Sequence, residues 1–289
     1  MTRSELAWQS KAVLLLVLPL VGADVVLEAN FWSAQEPSVA IWTLGLSALL
    51  GLVTWKLRAA TLPAAFAGAA ITANLMFSTA NFPYDPWHTA LVPVLAVSLL
   101  AFAATRVGRG RKERLGTAEE RKGRSAAQIA ANLGIAALVA SDAAQIWATN
   151  SQRFVHAPAA LLAASLAALA EAAADTVSSE TGQVFGGRPR MITTLRTVEP
   201  GRDGAMSLAG TLAGVLAAAG IAGLGAMALR EDAKLFAVAL GSAIFGLLFD
   251  SVLGATLEAR GWLNNDAVNF LSTASAAGVA LVLVMAGSK

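Results

Sequence analysis

Long apolar runs are the feature that most restricts what this chain can fold into. Nine such runs, separated by polar breaks, lie at about 12–28, 38–55, 60–80, 88–105, 126–148, 158–179, 205–229, 234–257 and 267–287. Their lengths match the roughly 17–25 residues that a helix needs to cross a bilayer. Because only helices and closed barrels satisfy their backbone in lipid, and these runs are too long for barrel strands, they predict an all-α fold. We expect one polytopic membrane bundle of about nine helices.

The composition agrees with a membrane protein. Hydrophobic residues make up 56% of the 289 positions and charged residues 14%, whereas soluble domains average ~45–50% and ~25%. Cysteine does not occur, which excludes disulfides, cysteine-ligated zinc and thiol catalysis. We expect a single membrane domain over 1–289, in which 1–105 supply N-terminal helices and 106–289 carry the functional site. The first run resembles a signal peptide, but the spans that follow favour an uncleaved helix.

The basic residues sort to one side of the predicted bundle. If the N-terminus lies in the cytoplasm, seventeen of the 21 lysines and arginines fall in inner segments and four in outer ones. Cytoplasmic loops carry such an excess of Lys and Arg. The sequence therefore predicts that the N-terminus lies in the cytoplasm. The protein is expected in the cytoplasmic (inner) membrane, with its active site on the cytoplasmic side.

Polar side chains gather at the inner ends of several predicted helices. The acids Asp175, Glu180 and Asp250 lie there. So do Gln128, Asn132, Ser251, Asn265 and Asn269, which we expect to bind nucleotide or phosphate. Carboxylates at membrane depth are costly and mark functional sites. Carboxylate and carboxamide oxygens suit Mg²⁺, so we expect Asp175, Glu180 and Asp250 to hold it, with Asp175 and Asp250 as catalytic groups. Glu180 lies about 140° from Asp175 on an ideal helix, so it joins this set only if the helix ends or unwinds near Ser178 and Ser179.

The loop after the sixth run is rich in Gly, Thr and Arg. We expect side chains of this loop to bind nucleotide or lipid phosphates, and the candidates are Arg188, Arg190, Thr193, Thr194 and Arg196. Two residues of the basic run 106–124, Lys122 and Arg124, are expected to bind phosphates with them. Arginine binds phosphate oxygens bidentately, and phosphoryl transfer mostly requires positioning and charge neutralisation. The run 106–124 as a whole is more typical of a topology signal or of headgroup contacts. No Walker A or kinase signature occurs.

Other acidic residues have a structural interpretation. Asp24, Glu28 and Asp142 lie toward the opposite face, where interfacial or packing roles are expected. Glu171 is one turn deeper than Asp175 and suits either support of the site or an interhelical contact. Glu258 and Asp266 are typical of solvated charges at helix ends.

Four segments resemble one known family, namely 120–134 (ERKGRSAAQIAANLG), 174–214 (beginning ADTVSSETGQVFGGRPRMITT), 250–258 (DSVLGATLE) and 264–273 (NNDAVNFLST). It is the family of plant phytyl-phosphate kinase and transmembrane protein 19, domain-of-unknown-function family 92. The resemblance implies transfer of a phosphoryl group from CTP, or another nucleoside triphosphate, to an isoprenoid monophosphate such as phytyl or geranylgeranyl phosphate. It assigns Asp175 and Glu180 to an acidic motif, Thr193 and Thr194 to ITT, Asp250 and Ser251 to DS, Asn265 and Asn269 to N-x-x-x-N, and Arg124, Gln128 and Asn132 to a basic-Gln-Asn motif. Glu258 replaces the Gln expected there.

Two groups of alternatives stay open at this point. An isoprenoid alcohol kinase or a cytidylyltransferase would have the same nucleotide and metal needs. The alternative of another class is a transporter or flippase of an anionic lipid or small anion. Transporters, however, place charged sites near the bilayer midplane, between two repeated halves of the chain, and no internal repeat is apparent in this sequence. The expected partners are an isoprenoid phosphate, a nucleoside triphosphate and membrane lipids, but not nucleic acid, because the basic residues lack interleaved aromatics. The sequence allows a homo-oligomer and leaves acceptor chain length open.

Overall fold

The computed structural model describes residues 6–118, 122–150 and 157–287, and the fold is a helical bundle. The helices are α1 (Ala7–Gln35), α2 (Pro37–Lys56), α3 (Leu62–Ser78), α4 (Leu91–Arg106), α5 (Arg109–Leu115), α6 (Ala126–Ala140), α7 (Asp142–Asn150), α8 (Ala157–Phe185), α9 (Leu208–Ala228), α10 (Ala233–Leu253) and α11 (Asn265–Ala286). A 3₁₀ turn at Pro86–His88 and a π-helical turn at Gly254–Glu258 complete them, with two short antiparallel strands, β1 (Arg190–Met191) and β2 (Ala205–Met206). The prediction of an all-α membrane bundle is confirmed.

Each of the nine apolar runs overlaps with one of the helices α1–α4, α6 and α8–α11. Among the described residues, six helices are long and apolar enough to cross a membrane, or up to eight if each bent pair counts as one span; α3, with 17 residues, is shorter. The bent pairs are α4 with α5, at 67°, and α6 with α7, at 44°. The fifth run is therefore broken at Ser141, where extended backbone interrupts the helix.

The sixth run was expected to end at about 179, and Glu180 was expected to join Asp175 only if the helix ended or unwound near Ser178 and Ser179; the helix does neither. Helix α8 continues without a break to Phe185. Residues 180–185 contain a single glycine and no proline, so nothing in them forces the helix to stop. Glu180 consequently keeps the helical angle that separates it from Asp175.

Helix α8 is the centre of the bundle. Of its apolar window 83% is buried inside the protein, against 28% for α1, and it packs mainly against α9, α11, α10 and α6. Its small alanines, among them Ala163, Ala164, Ala167 and Ala168, are fully buried. Small residues let neighbouring backbones approach closely, which is the usual basis of helix packing in membranes. Large side chains such as Leu15, Leu20 and Leu27 instead cover the outside of α1, where lipid would contact them.

Hydrogen bonds join the start of α1 to the connection between α10 and α11. Gln9 Nε2 donates to Trp262 O at 2.9 Å, Asn264 Nδ2 donates to Leu6 O at 2.9 Å, and Ser10 Oγ donates to Asp266 Oδ2 at 2.6 Å. Asp266, expected as a solvated charge, is thus a hydrogen-bond acceptor. The N-terminal end of α1 therefore lies at the same end of the bundle as the C-terminal end of α10 and the N-terminal end of α11.

Candidate functional site

A cavity of about 260 Å³ lies at that end of the bundle. Nine of the residues singled out in the sequence line it together: Arg124, Gln128, Asn132, Asp175, Glu180, Asp250, Ser251, Asn265 and Asn269. They come from α6, α8, α10 and α11 and the segments beside them. The acids and amides of distant segments therefore meet in one polar cavity, as the sequence predicts.

Two aspartates form the acidic wall of this cavity. The carboxyl groups of Asp175 and Asp250 lie within hydrogen-bonding reach of each other, and Ser272 Oγ lies within reach of both Asp250 and Glu171. Two carboxylates this close need a shared proton or a cation between them. Asp250 Oδ1 and Glu171 Oε1 are buried, and within the described chain neither has a hydrogen-bond partner. Because such buried oxygens are costly, Asp250 Oδ1, which belongs to a residue lining the cavity, indicates a place for a cation or ligand.

Glu171 itself is almost fully buried behind Asp250. A β-carbon added at Gly246 would lie 2.5 Å from Glu171 Cγ, so only glycine at this position of α10 leaves room for the glutamate. Glu171 does not line the cavity. Its contacts favour support of Asp250 over direct binding.

The amide wall is held by helix capping. Ser125 Oγ accepts from Gln128 N at 3.2 Å and Ser125 N donates to Gln128 Oε1 at 2.7 Å, a reciprocal capping box at the start of α6. The amide Nε2 of Gln128 therefore remains as its donor to a ligand, which suits a phosphate oxygen better than a metal. Asn132 Oδ1 accepts from Asn269 Nδ2 at 3.5 Å, which links α6 to α11. Arg124 Nη2 donates to Thr176 Oγ1 at 3.5 Å.

The loop between α8 and α9 covers part of the cavity. Strands β1 and β2 pair Arg190 with Met206 and Met191 with Ala205, so the loop is a hairpin. Its base, 200–207, lines the cavity with Arg202, Asp203 and Ser207. The base rests on the π-helical turn after α10, because β-carbons at Gly204 and Gly254 would lie 2.3 Å from Ala255 N and 2.8 Å from Gly204 N. Glycine at 204 and 254 therefore lets the loop pack closely against this turn.

Six predicted phosphate-binding residues do not line the cavity. These are Lys122, Arg188, Arg190, Thr193, Thr194 and Arg196, and all six are exposed. The hairpin carries Thr193, Thr194 and Arg196 at its tip, where Met191 N donates to Arg196 O at 2.9 Å. Arg202, the fourth arginine of this loop, lines the cavity instead. The role of the other six stays a prediction.

Lys112 is a buried residue whose importance the sequence does not reveal. Its side chain is 1% exposed, and Nζ donates to Glu180 Oε2 at 2.5 Å and to the carbonyl oxygens of Ala104 and Thr105. The bend between α4 and α5 brings it to α8. Within a run of eight basic residues, no local signal distinguishes it from its exposed neighbours.

The donor set fits a divalent cation held by two carboxylates rather than three. The described part of the chain contains no group of three or more His, Cys, Asp or Glu residues arranged to hold a metal. Glu180 is bound to Lys112 instead, which makes Asp175 and Asp250 the better pair. Mg²⁺ commonly binds one or two carboxylates plus substrate phosphates, and the unpartnered Asp250 Oδ1 agrees with such an arrangement.

Comparisons with known proteins agree with this architecture. The family described as integral membrane protein DUF92 matches residues 45–277. Uncharacterized membrane protein MJ0933 of Methanocaldococcus jannaschii is 44% identical over 108 residues, 37% of this chain and 45% of that protein. Uncharacterized membrane protein sll0875 of Synechocystis sp. is 32% identical over 210 residues, 68% of this chain and 73% of that protein. Protein VTE6, chloroplastic, of Arabidopsis thaliana is 31% identical over 193 residues, 66% of this chain and 57% of that protein. No solved structure matches.

Proposed function

The chain belongs to the integral membrane protein DUF92 family, and from that premise we propose that it is a membrane-embedded kinase of isoprenoid monophosphates. The phosphoryl donor is CTP or another nucleoside triphosphate, and the product is the isoprenoid diphosphate. The observation that carries the proposal is the meeting of Asp175, Asp250, Arg124 and the amides of Gln128 and Asn269 in one cavity at one end of the bundle. The resemblance of these residues to the phytyl-phosphate kinase family supplies the acceptor.

The residues of the cavity divide into two chemical roles. Arg124 and the free amide donor of Gln128 bind phosphate oxygens, and Arg202 of the covering loop neutralises charge on the donor from the other side. Asp175 and Asp250 orient the reacting groups and would hold a cation, because their carboxyl groups lie within hydrogen-bonding reach of each other. A bound Mg²⁺ would neutralise the charge that develops on the donor phosphates.

The reaction needs little covalent participation by the protein. An oxygen of the acceptor phosphate attacks the γ-phosphorus, the bond from that phosphorus to the β,γ-bridging oxygen breaks, and the nucleoside diphosphate leaves with the bond electrons. An acceptor that is already a phosphate anion is a competent nucleophile, so a strong general base is not required. The cavity has to align the two phosphates and exclude water, which would otherwise hydrolyse the donor.

The cavity lies on the cytoplasmic side under this proposal. The described chain start and the basic segments around Arg58, Arg106 and Arg124 share its end of the bundle, and such basic segments favour the cytoplasm. The nucleotide would then enter from the cytoplasm, and the acceptor from the inner membrane.

The proposal is tested with purified protein in lipid nanodiscs, geranylgeranyl phosphate, Mg²⁺ and each of the four nucleoside triphosphates in turn. We expect geranylgeranyl diphosphate and one equivalent of nucleoside diphosphate, with CTP or one of the other triphosphates as the donor. Release of pyrophosphate would instead assign a cytidylyltransferase, and turnover of geranylgeraniol in place of its phosphate would assign an alcohol kinase. Failure of all four nucleotides with both acceptors would contradict the proposal.

A further inference from the structure

A second cavity, of about 330 Å³, lies next to the polar one and is mainly apolar. We refer to it as the apolar cleft; Leu50, Val94, Val97, Phe102, Ile129 and Leu133 are among its apolar lining residues. It lies between α2 and α3 on one side and α4 on the other, with α6 and α8 behind. Along α4 it extends from Arg106 to Val94, about 18 Å at 1.5 Å per residue. The cleft is thus elongated along the bundle axis.

The apolar cleft and the polar cavity share a wall. Arg124, Asn132 and Thr176 line both of them. Asp175 precedes Thr176 by one residue, a turn of about 100° on the helix, and lines only the polar cavity. A molecule with its polar end at Arg124 and Thr176 would therefore lie beside the acidic pair.

Positive charge collects where the apolar cleft meets the polar end of the bundle. Arg58, Arg106 and Arg124 line it there, together with Arg109, whose Nε donates to Glu113 Oε1 at 3.0 Å. Arg106 is held in place, because its Nη2 donates to Leu57 O at 2.9 Å and its guanidinium lies 3.5 Å from the Phe102 ring centroid. An apolar cleft with several arginines at one end complements an amphiphile that has an anionic head and a hydrocarbon tail.

We propose that the apolar cleft binds the hydrocarbon chain of a single-chain phosphorylated lipid acceptor, with its phosphate at Arg124 and the neighbouring arginines. This inference rests on the proposed function and adds the position of the acceptor. The volume lies at the lower end of the 300–1,000 Å³ that is usual for small-ligand sites, which suits one chain rather than the two of an ordinary phospholipid. The acceptor phosphate would then reach the polar cavity at the shared residues Arg124, Asn132 and Thr176, beside the donor phosphates.

Gly68 of α3 offers a direct way to fill the apolar cleft. It lines the cleft, and a β-carbon added there would meet only Ile129 Cγ2, at 4.0 Å. A Gly68→Leu side chain would therefore extend into the cleft without displacing backbone. Gly45 of α2 is the matched control, because it is exposed, lies outside the cleft and has no atom within 4 Å of an added β-carbon.

The experiment compares wild type, Gly68→Leu and Gly45→Leu with two acceptors, geranylgeranyl phosphate and the much shorter dimethylallyl phosphate. We expect Gly68→Leu to raise KM for geranylgeranyl phosphate about tenfold, the equivalent of losing a few buried methylene contacts. Its KM for the nucleotide and its kcat/KM for the short acceptor should stay near the wild-type values. Gly45→Leu should match wild type with both acceptors. Equal behaviour of the two leucine variants in an active enzyme would overturn the inference.

Binding separates this inference from the proposed function. Displacement of a fluorescent geranylgeranyl phosphate is measured on the same proteins without nucleotide. Weaker binding by Gly68→Leu than by Gly45→Leu supports the cleft even if no nucleotide is turned over. A diacyl phospholipid that co-purifies and resists displacement by geranylgeranyl phosphate would overturn it.

If Gly68→Leu does not fold, a substitution at the arginine-lined end of the apolar cleft tests the same inference. Arg58 adopts a left-handed backbone conformation, with φ of 54°, which asparagine tolerates best among non-glycine residues. Arg58→Asn should weaken the binding of both phosphorylated acceptors about threefold and leave geranylgeraniol binding unchanged. Unchanged binding of both phosphates would count against the inference.

Discussion

Buried carboxylates occur at both ends of this bundle, and their surroundings differ. At one end, both oxygens of Asp24 accept hydrogen bonds, Oδ2 from Asn74 Nδ2 at 2.6 Å and Oδ1 from Asp142 N at 3.1 Å. At the other end, Asp250 Oδ1 and Glu171 Oε1 are buried without a partner among the described residues. The first group ties α1, α3 and α7 together, whereas the second faces or backs a cavity.

The difference separates a structural role from a ligand-binding one. A buried carboxylate whose oxygens are bonded within the protein needs nothing further, and its removal leaves donors unpaired. A buried carboxylate with an unpaired oxygen beside a polar cavity is stabilised fully only when a cation or ligand arrives. Substitutions at the two ends should therefore have opposite effects on stability and turnover.

The largest effect is expected for Asp175→Asn, which keeps the shape of the side chain. Turnover should fall at least about a hundred- to thousandfold, the usual cost of removing one preorganised electrostatic group, while the thermal midpoint does not fall. Nucleoside diphosphate release and a melting curve measure the two effects. Glu199→Gln, in the exposed loop outside the cavity, is the control and should be unchanged. Near-normal turnover by Asp175→Asn would remove the aspartate pair from the site.

Lys112→Met should lower stability strongly. Glu180, whose side chain is 12% exposed, would keep its charge without its partner, and breaking a buried pair costs about 3–5 kcal/mol. The double variant Lys112→Met with Glu180→Gln should recover part of the thermal midpoint. A single variant that melts like wild type would contradict this role of the ion pair. Glu180 would then be free of Lys112 and better placed to bind a cation.

Asp24→Ala should destabilise the protein without affecting chemistry. It leaves Asn74 Nδ2 and Asp142 N unpaired, at about 1–3 kcal/mol for a buried donor. The thermal midpoint should drop while turnover per folded molecule stays within about twofold of wild type. A selective loss of turnover would show that this end of the bundle also takes part in the reaction.

Asp250→Asn should raise the thermal midpoint of the ligand-free protein by about 2–4 °C, as a gain of roughly 1 kcal/mol would in a chain of this size. The reason is the crowding of carboxylates, because Asp175, Glu171 and Glu258 all lie near Asp250. The same variant should lose turnover, as inactive variants with relieved active-site strain often do. A lower midpoint would show that Asp250 is structural, as Asp24 is.

The smallest effect is expected for Glu258→Gln. Glu258 lines the cavity at the end of the π-helical turn, but the resemblance places Gln there. We expect kcat/KM within about threefold of wild type, less than 1 kcal/mol. A larger loss would add Glu258 to the groups that hold the cation.

Much of the fold follows from the apolar runs, because their length and the absence of charge leave few other structures in a bilayer. The helix ends follow less well. The extension of α8 to Phe185 depends on residues without a stop signal, and the break at Ser141 depends on the packing around Asp142 and Asp24.

The meeting of candidate site residues in one cavity was predictable for those that lie on helix ends facing the same side. Asp175, Asp250 and Asn269 meet because alternate helices return to one end of the bundle. Loop residues were harder to place, because the hairpin carries Thr193 and Arg196 away from the cavity and brings Arg202 to it. Strand pairing of only two residues leaves no recognisable pattern in the sequence.

Whether the polar cavity binds the nucleotide is tested most directly by photo-crosslinking with azido-CTP in the presence of Mg²⁺. The labelled residues are then located by peptide mapping. We expect labelled peptides from 175–207 and 247–269, which contain many of the cavity-lining residues. The label should be lost with excess CTP, with any other triphosphate that supports turnover, or in Asp175→Asn. Competable labelling that maps to α1, to α2 or to the end of the bundle near Asp24 would contradict it.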